Sequence, residues 1–332
     1  MGKIKYLIKR VLNLNYKQML DKINEIHGKT KKNRIYLFFD MIYCGFKYQS
    51  GYMDYWLFEM YNLNKKQRET ILTRGKNNYL INKYNNKDYT NIFENKDEFL
   101  EKFKSFVKRD FLILNKDNFS EFEKFIENKD EFIAKPKNGS CGKGIEIIKV
   151  NKKHKEMFNY LLEKKLIILE ELIKQSDGIN KMNPYSINTI RIVTINDNGE
   201  SYVVASYFRI GNDKKFVDNF NSGGMVVPIE IETGEIIYPA LDKKNNLYDI
   251  HPVSGCIIKG FKIPNWDKVI TLAKDLSKVV PEVGMVGWDI AITKTGVDIV
   301  EGNDYPGHDI YQLPPHRTNG IGVLPNFSRF LK

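Results

Sequence analysis

Residues 287–304 read GWDIAITKTGVDIVEGND. Two runs of strand composition flank Lys294, Thr295 and Gly296. A three-residue hairpin loop with glycine last is a common type, a type I turn followed by a residue of positive φ. Such a loop pairs Thr293 with Val297. Counting back, Ala291 faces Ile299 and Asp289 faces Glu301. Cross-strand partners share a face, and alternation adds Asn303 to it. Ile290, Ile292, Asp298 and Val300 then point the other way. Two carboxylates opposed across a strand pair repel unless something lies between them. A hard divalent cation does this, because Mg²⁺ takes oxygen ligands from one or two carboxylates plus substrate phosphates. The plain alternative is a solvated sheet face, and a two-residue loop would break the pairing.

The chain has 332 residues, 42% of them hydrophobic, enough for two or three domains with real cores. No apolar run reaches the length of a membrane span. Met1–Arg10 is basic, but no apolar core with a small-residue cleavage site follows, so a cytoplasmic protein is expected. Cys44, Cys141 and Cys256 are widely separated, which fits a reducing compartment without disulfides or zinc spacing. The net charge of +11 favours acidic partners such as nucleotides, anionic polymers or a membrane surface. Spread lysine and asparagine are the bland explanation. With no zinc finger or RNP-type motif, nucleic acid is not an expected partner.

Residues 1–95 read as a helical, aromatic-rich region. Tyr6–Ile26 carries apolar residues at helical spacing, suited to packing on the domain or lying on a membrane. Residues 34–61, rich in Phe, Tyr and Trp, read as core. Beyond residue 95, a helix over 97–107 precedes a strand at 111–114. Ser120 is a suitable helix N-cap. Strands at 132–135 and 145–150 then flank a loop with Gly139, Gly142 and Gly144. Such a loop lets backbone N–H groups wrap phosphate oxygens, with the Lys135 ammonium close by. A simple turn is the alternative, and neither the P-loop nor the GxGxxG spacing fits.

Residues 165–173, KLIILEELI, form a buried strand whose terminal acids could accept from an adenine amino group or a ribose hydroxyl. A strand over 184–195 places Arg191 on a face with Ile187, Thr189 and Val193. Arg191 suits bidentate phosphate or carboxylate recognition, or is a surface arginine. A strand over 202–210 contains Arg209. Residues 218–225, DNFNSGGM, make a glycine turn into a strand over 225–231; a short strand at 236–238 and an amphipathic helix at 265–280 follow.

In this order the motifs resemble the ATP-grasp superfamily. SINTIRIVT, DNFNSGGM, GWDIAIT and VDIVEGN are similar to its sugar-transfer-associated branch, related to glutamate ligases. The resemblance covers roughly residues 95–322. It implies an α+β fold with two lobes clamping ATP, divided as a helical region 1–95, a small lobe 96–172 and a large lobe 173–332. Lys135 and either Lys108 or Arg109 would contact the phosphates. Asn138, Gly139, Ser140, Gly142 and Gly144 would form a lid. Glu170, Glu171 and Leu172 would meet the adenine, with Gln175 or Asp177 near the ribose. Asp289, Glu301 and Asn303 would hold Mg²⁺, and Arg191 the transferring phosphoryl group. Arg209, Asn219, Gly223 and Gly224 would line the acceptor side. The implied reaction is ATP-dependent carboxylate–amine ligation, on small-molecule carboxylate and amine substrates, in cell-surface or capsular polysaccharide synthesis, with peripheral membrane association. A small-molecule kinase and a non-catalytic scaffold are the alternatives.

Overall fold

The computed structural model describes residues 15–139, 144–212, 220 and 223–331. The chain divides into two compact units, Met1–Asn82 with Gly307–Lys332, and Lys83–Pro306. Among the described residues no helix is long and apolar enough to cross a membrane.

The first unit is helical, with α1 (Tyr16–Thr30), α2 (Arg34–Tyr48), α3 (Tyr52–Leu57), α4 (Lys65–Glu69) and the start of α5 (Arg74–Tyr84). Asn15 and Asn33 cap α1 and α2 by accepting from backbone N–H groups that would otherwise lack partners. Met19, Ile23 and Ile26 pack with Leu37, Met41, Cys44 and Tyr48. A buried polar knot pins this core. Arg68 grips Asp40 with two bonds of 2.7 Å, and the Tyr55 hydroxyl donates to the same carboxylate. The Gln312 amide donates to Leu72 O and accepts from Leu72 N, which ties the last residues of the chain to these helices. Residues 34–48 are core on one side only; the other side of α2 is exposed.

The second unit holds all the described strands. Strands β1 (Phe111–Ile113), β2 (Glu131–Lys135), β3 (Glu146–Lys149) and β4 (Ile168–Glu170) form a sheet of order β1-β4-β2-β3. It is covered by α8 (Phe119–Ile126) and α9 (His154–Glu163) through Phe122, Phe132, Phe158, Leu161 and Leu169. Helices α6 (Asn91–Glu94) and α7 (Lys96–Lys102) precede this sheet in the chain. Ser120 lies inside α8 rather than capping it. Asn118 sits at the cap position, where its side chain bridges Asn115 N and Ile113 O.

The second sheet is seven-stranded and antiparallel: β5 (Thr189–Asp197), β6 (Glu200–Ile210), β7 (Met225–Pro228), β8 (Ala240–Asp242), β9 (Leu247–Tyr248), β10 (Met285–Thr293) and β11 (Gly296–Asn303), in the order β11-β10-β5-β6-β7-β8-β9. One face packs Ile190, Ile192, Phe208, Trp288, Ile290 and Ile299 with Val269 and Ala273 of α10 (Trp266–Leu276). Strand β5 starts at Thr189, later than expected. Residues 183–188 are instead wrapped around Gln175, whose amide donates to Ser186 O and accepts from Asn188 N at 2.7 Å. The expected strand at 236–238 reduces to a single bridge, Glu235 to Lys262.

The β10–β11 hairpin differs instructively from expectation. Thr293 pairs with Gly296, so the turn has two residues, Lys294 and Thr295. That slip alone would separate Asp289 from Glu301. A β-bulge at Val300 removes it: Ile290 pairs with Ile299, yet Asp289 pairs with Glu301. Ala291 now faces Asp298, which brings Asp298 onto the Asp289 face.

Asp298 is thereby available to Arg109. The buried guanidinium donates from Nε to Glu170 Oε2 at 2.7 Å and from Nη1 to Asp298 Oδ2 at 3.0 Å and to Ile299 O. One cation thus joins β4 of the first sheet to β11 of the second. Removing one partner of a buried ion cluster leaves uncompensated charge, so Arg109→Met is expected to destabilise the protein by about 3–5 kcal/mol. Urea unfolding followed by circular dichroism checks this; an unchanged midpoint contradicts it.

Candidate nucleotide and metal site

The other face of the large sheet carries its charges in rows, all of them buried except Glu301. Glu301, Asp289, Arg191 and Tyr207 stand side by side on β11, β10, β5 and β6. The adjacent row is Asp298, Ala291, Thr189 and Arg209. The expected face of β5 is therefore observed, with Arg191 directly opposite Asp289. Arg191 embraces that carboxylate, Nε toward Oδ1 and Nη2 to Oδ2 at 2.8 Å, and Arg209 donates to Oδ2 as well. Gly287 makes room for this. A Cβ there would meet Arg191 Cδ and Nη1 at 3.2 Å.

Burial alone would push the Asp289 carboxyl up; Arg191 and Arg209 outweigh it and hold it well below the usual carboxylate range. Glu301 behaves oppositely. Desolvation and the Asp289 charge push it up to about 7. Its side chain is 56% exposed, which weakens the desolvation share, so the Asp289 charge is the cause that persists. Arg191 Nη2 lies 4.0 Å from Glu301 Oε1, too far for a hydrogen bond.

These oxygens suit a hard divalent ion, which would relieve the repulsion between Glu301 and Asp289. The acids form a pair and not a larger cluster. Among the described residues no group of three or more His, Cys, Asp or Glu is gathered to hold a metal. Asp289 already accepts three arginine hydrogen bonds, so Glu301 offers the more accessible carboxylate. Asn303 pairs with Gly287 on the same face, and its Oδ1 accepts from Tyr305 N at 2.9 Å.

The smaller sheet contributes cations. Lys135, at the end of β2, donates to Glu170 Oε1 at 2.8 Å. Burial pushes Glu170 up, but Arg109 and Lys135 prevail and hold it down to about 2. Both Glu170 oxygens are thereby taken, so the carboxylate expected to face an adenine is a strut between two cations. Of the two candidates for a second cation, Arg109 is buried beside Glu170 and its Nη2 has no hydrogen-bond partner. The Lys108 side chain is exposed and reaches Ser105 O at 3.4 Å, while its backbone N donates to Asp298. Glu171 pairs with Asp110 through its backbone N at 2.9 Å, and Leu172 follows, half-buried.

Lys96 was not singled out in the sequence. Its Nζ donates to Gly139 O at 2.7 Å. Burial and the Lys135 charge lower its pKa, while Glu301 and Glu170 oppose this. Lys96 therefore senses acids of both sheets. Nothing local marks it out: it is one of many lysines, at the start of a short helix.

The glycine loop is described at Asn138, Gly139 and Gly144. Gly144 has φ +74°, and a Cβ there would meet Pro136 Cγ at 3.3 Å. Ser140, Cys141 and Gly142 lie outside the described residues, as does Asn219. Gly223 has φ +106° with open space around it, and Gly224 is buried just before β7. The two residues expected near a ribose differ in their surroundings. Gln175 is consumed by its loop, and the Asp177 side chain is 86% exposed, 3.8 Å from Lys294.

Comparison with known proteins adds the following. A family model described as sugar-transfer associated ATP-grasp matches residues 75–327. Among solved structures, the ATP-grasp ligase PsnB with minimal precursor, Mg and ADP is 14% identical with TM-score 0.43, covering 75% of this chain and 61% of that one. D-alanine-D-alanine ligase from Helicobacter pylori is 15% identical with TM-score 0.42, covering 74% and 63%. The ADP complex of purK, N5-carboxyaminoimidazole ribonucleotide synthetase, is 13% identical with TM-score 0.41, covering 70% and 52%. The chain thus spans between 52% and 63% of the length of these structures. A search of curated proteins finds no match. ATP and Mg²⁺ are the typical cofactors of the ATP-grasp fold. The family match extends over well more than half of the residues and includes both sheets and the charged rows, so the chain belongs to the sugar-transfer-associated ATP-grasp family.

Proposed function

We propose that this protein is an ATP-dependent ligase that joins a carboxylate to an amine. One partner would be carried by a sugar acid or peptide of a cell-surface polysaccharide. The observation that carries the reading is the meeting of two charge systems in one unit: Lys135 and Arg109 on Glu170, and Asp289 and Glu301 beside Arg191 and Arg209. The glycan context rests on the family description.

When bound, ATP with Mg²⁺ would supply a phosphoryl group to the carboxylate, releasing ADP, and the amine would attack the activated acyl carbon as inorganic phosphate leaves. The residues of the chain have defined tasks. Lys135, held in place by Glu170, balances phosphate charge. Asn138, Gly139 and Gly144, with Ser140 and Gly142, cover the phosphates and exclude water. Glu301 and Asn303, with Asp289, would hold the cation. Arg191 stabilises charge on the transferring group, and Arg209, Gly223 and Gly224 line the acceptor side with Asn219. Phosphoryl transfer needs mainly positioning and charge neutralisation, and these groups supply both.

Calorimetric titration with a non-hydrolysable ATP analogue tests the site. Wild type is expected to bind it only with Mg²⁺, and Glu301→Ala to lose at least about tenfold in affinity. Absence of binding by wild type sinks the proposal. ADP release that depends on an added amine separates ligase from kinase. Arg191→Lys, which cannot keep the two-pronged geometry, is expected to lower kcat by about 10²–10³.

The Glu301 carboxyl also predicts a pH dependence. Its folded value, near 7, lies above the ordinary 4.5. The folded state therefore keeps a proton that the unfolded state has already released. The stability that this proton contributes is full below about pH 4.5 and lost as pH rises through about 7. Metal-free thermal melts should show this decline, and Glu301→Gln should flatten it. Mg²⁺ affinity should climb through the same window in wild type alone. A wild-type affinity that is flat across it would count against Glu301 as a ligand.

A further inference from the structure

Helix α2 is apolar on two opposite sides. At about 100° per residue, Leu37, Met41, Cys44 and Tyr48 share one face, and all four are buried. Ile35, Tyr36, Phe39, Tyr43 and Phe46 fall within an arc of roughly 100° on the other. Their exposures are 69%, 54%, 64%, 47% and 55%. A helix needs only one apolar face to pack on its own domain, and a second face of large exposed side chains marks an interaction surface.

The charge around this face identifies what it meets. Within the described residues 15–50, seven lysines and arginines stand against three acids, a net +4. Lys31, Lys32 and Arg34 stand at the start of α2 and Lys47 at its end, where Lys47 Nζ lies 5.7 Å from the Tyr43 ring centre. The only acid of the helix, Asp40, is held by Arg68 and Tyr55. Large aromatic and aliphatic side chains flanked by cations at the two helix ends suit the interface of an anionic bilayer, where rings sit at headgroup depth and lysines meet lipid phosphates. A second copy of this chain fits worse, because it would bring a net positive face against another.

We propose that the outward face of α2 docks the protein on an anionic membrane surface, with Phe39 and Phe46 entering the headgroup region. The inference stands independently of the ligase reading, because it uses none of the residues assigned to the site.

The test is co-sedimentation of the full chain with vesicles of phosphatidylcholine alone or with about 30% phosphatidylglycerol. Wild type is expected to bind the anionic vesicles and to release as salt rises, and Phe39→Ser/Phe46→Ser to bind roughly tenfold more weakly. Circular dichroism verifies that the double variant is folded. A Phe39→Trp variant adds a direct readout, since its difference fluorescence against wild type should shift to the blue only with anionic vesicles. Equal binding of wild type and double variant would place the contact elsewhere and overturn the proposal. Emission already blue without vesicles and unmoved by them would show the face covered by the chain itself. A dimer that the double variant dissociates, with no vesicle binding, would assign the face to a second copy. Either result overturns the proposal, as does a monomer that ignores vesicles.

Discussion

The second unit depends on one buried guanidinium. Arg109 takes Glu170 from the small sheet and Asp298 from the large one, and it also donates to Ile299 O. A charge with so little access to water is tolerated because two carboxylates neutralise it, and the two acids are tolerated because the arginine is there. The arrangement requires Asp298 to face inward, and it does so because of the bulge at Val300. A single unpaired residue in one strand thus places the carboxylate that the arginine needs.

The same logic extends outward from Arg109. Glu170 carries Lys135 on its second oxygen, and Lys96 lies within the field of Lys135, Glu170 and Glu301. Across the large sheet, Asp289 is neutralised by Arg191 and Arg209, and Glu301 is the acid left uncompensated. Cations of the small sheet and a half-exposed acid of the large one therefore belong to one electrostatic system. Phosphate groups and a divalent cation would complete it with opposite signs.

The helical unit obeys a different constraint. Its core needs one face of α2, pinned through Asp40 and Arg68, and the other face is as apolar as the first. In residues 34–48 the apolar content exceeds what one packed face consumes. Composition alone reports the total and not the partition, which is why the stretch reads as core throughout.

Part of the strand pairing at the candidate site was legible in the sequence. Alternation and a glycine-bearing turn were enough to place Asp289 opposite Glu301 and to put Arg191 on the same sheet face, because side-chain direction in a strand is a local, period-two property. Strand, lysine and glycine loop were legible for the same reason, and the motif order pointed to the family that the match over residues 75–327 establishes. The correct Asp289–Glu301 pair nevertheless came from a turn one residue too long, an error that the bulge at Val300 cancels. Bulges, the side-chain knot around Gln175 and the ion pairs from Arg109 to distant strands are decided by packing between segments far apart in the chain. The sequence by itself therefore determined which residues share a strand face. Only the tertiary structure decided that Asp298 joins them, that Glu170 is a strut between cations, and that α2 keeps an apolar side turned outward, because each depends on which buried charge or surface finds a partner.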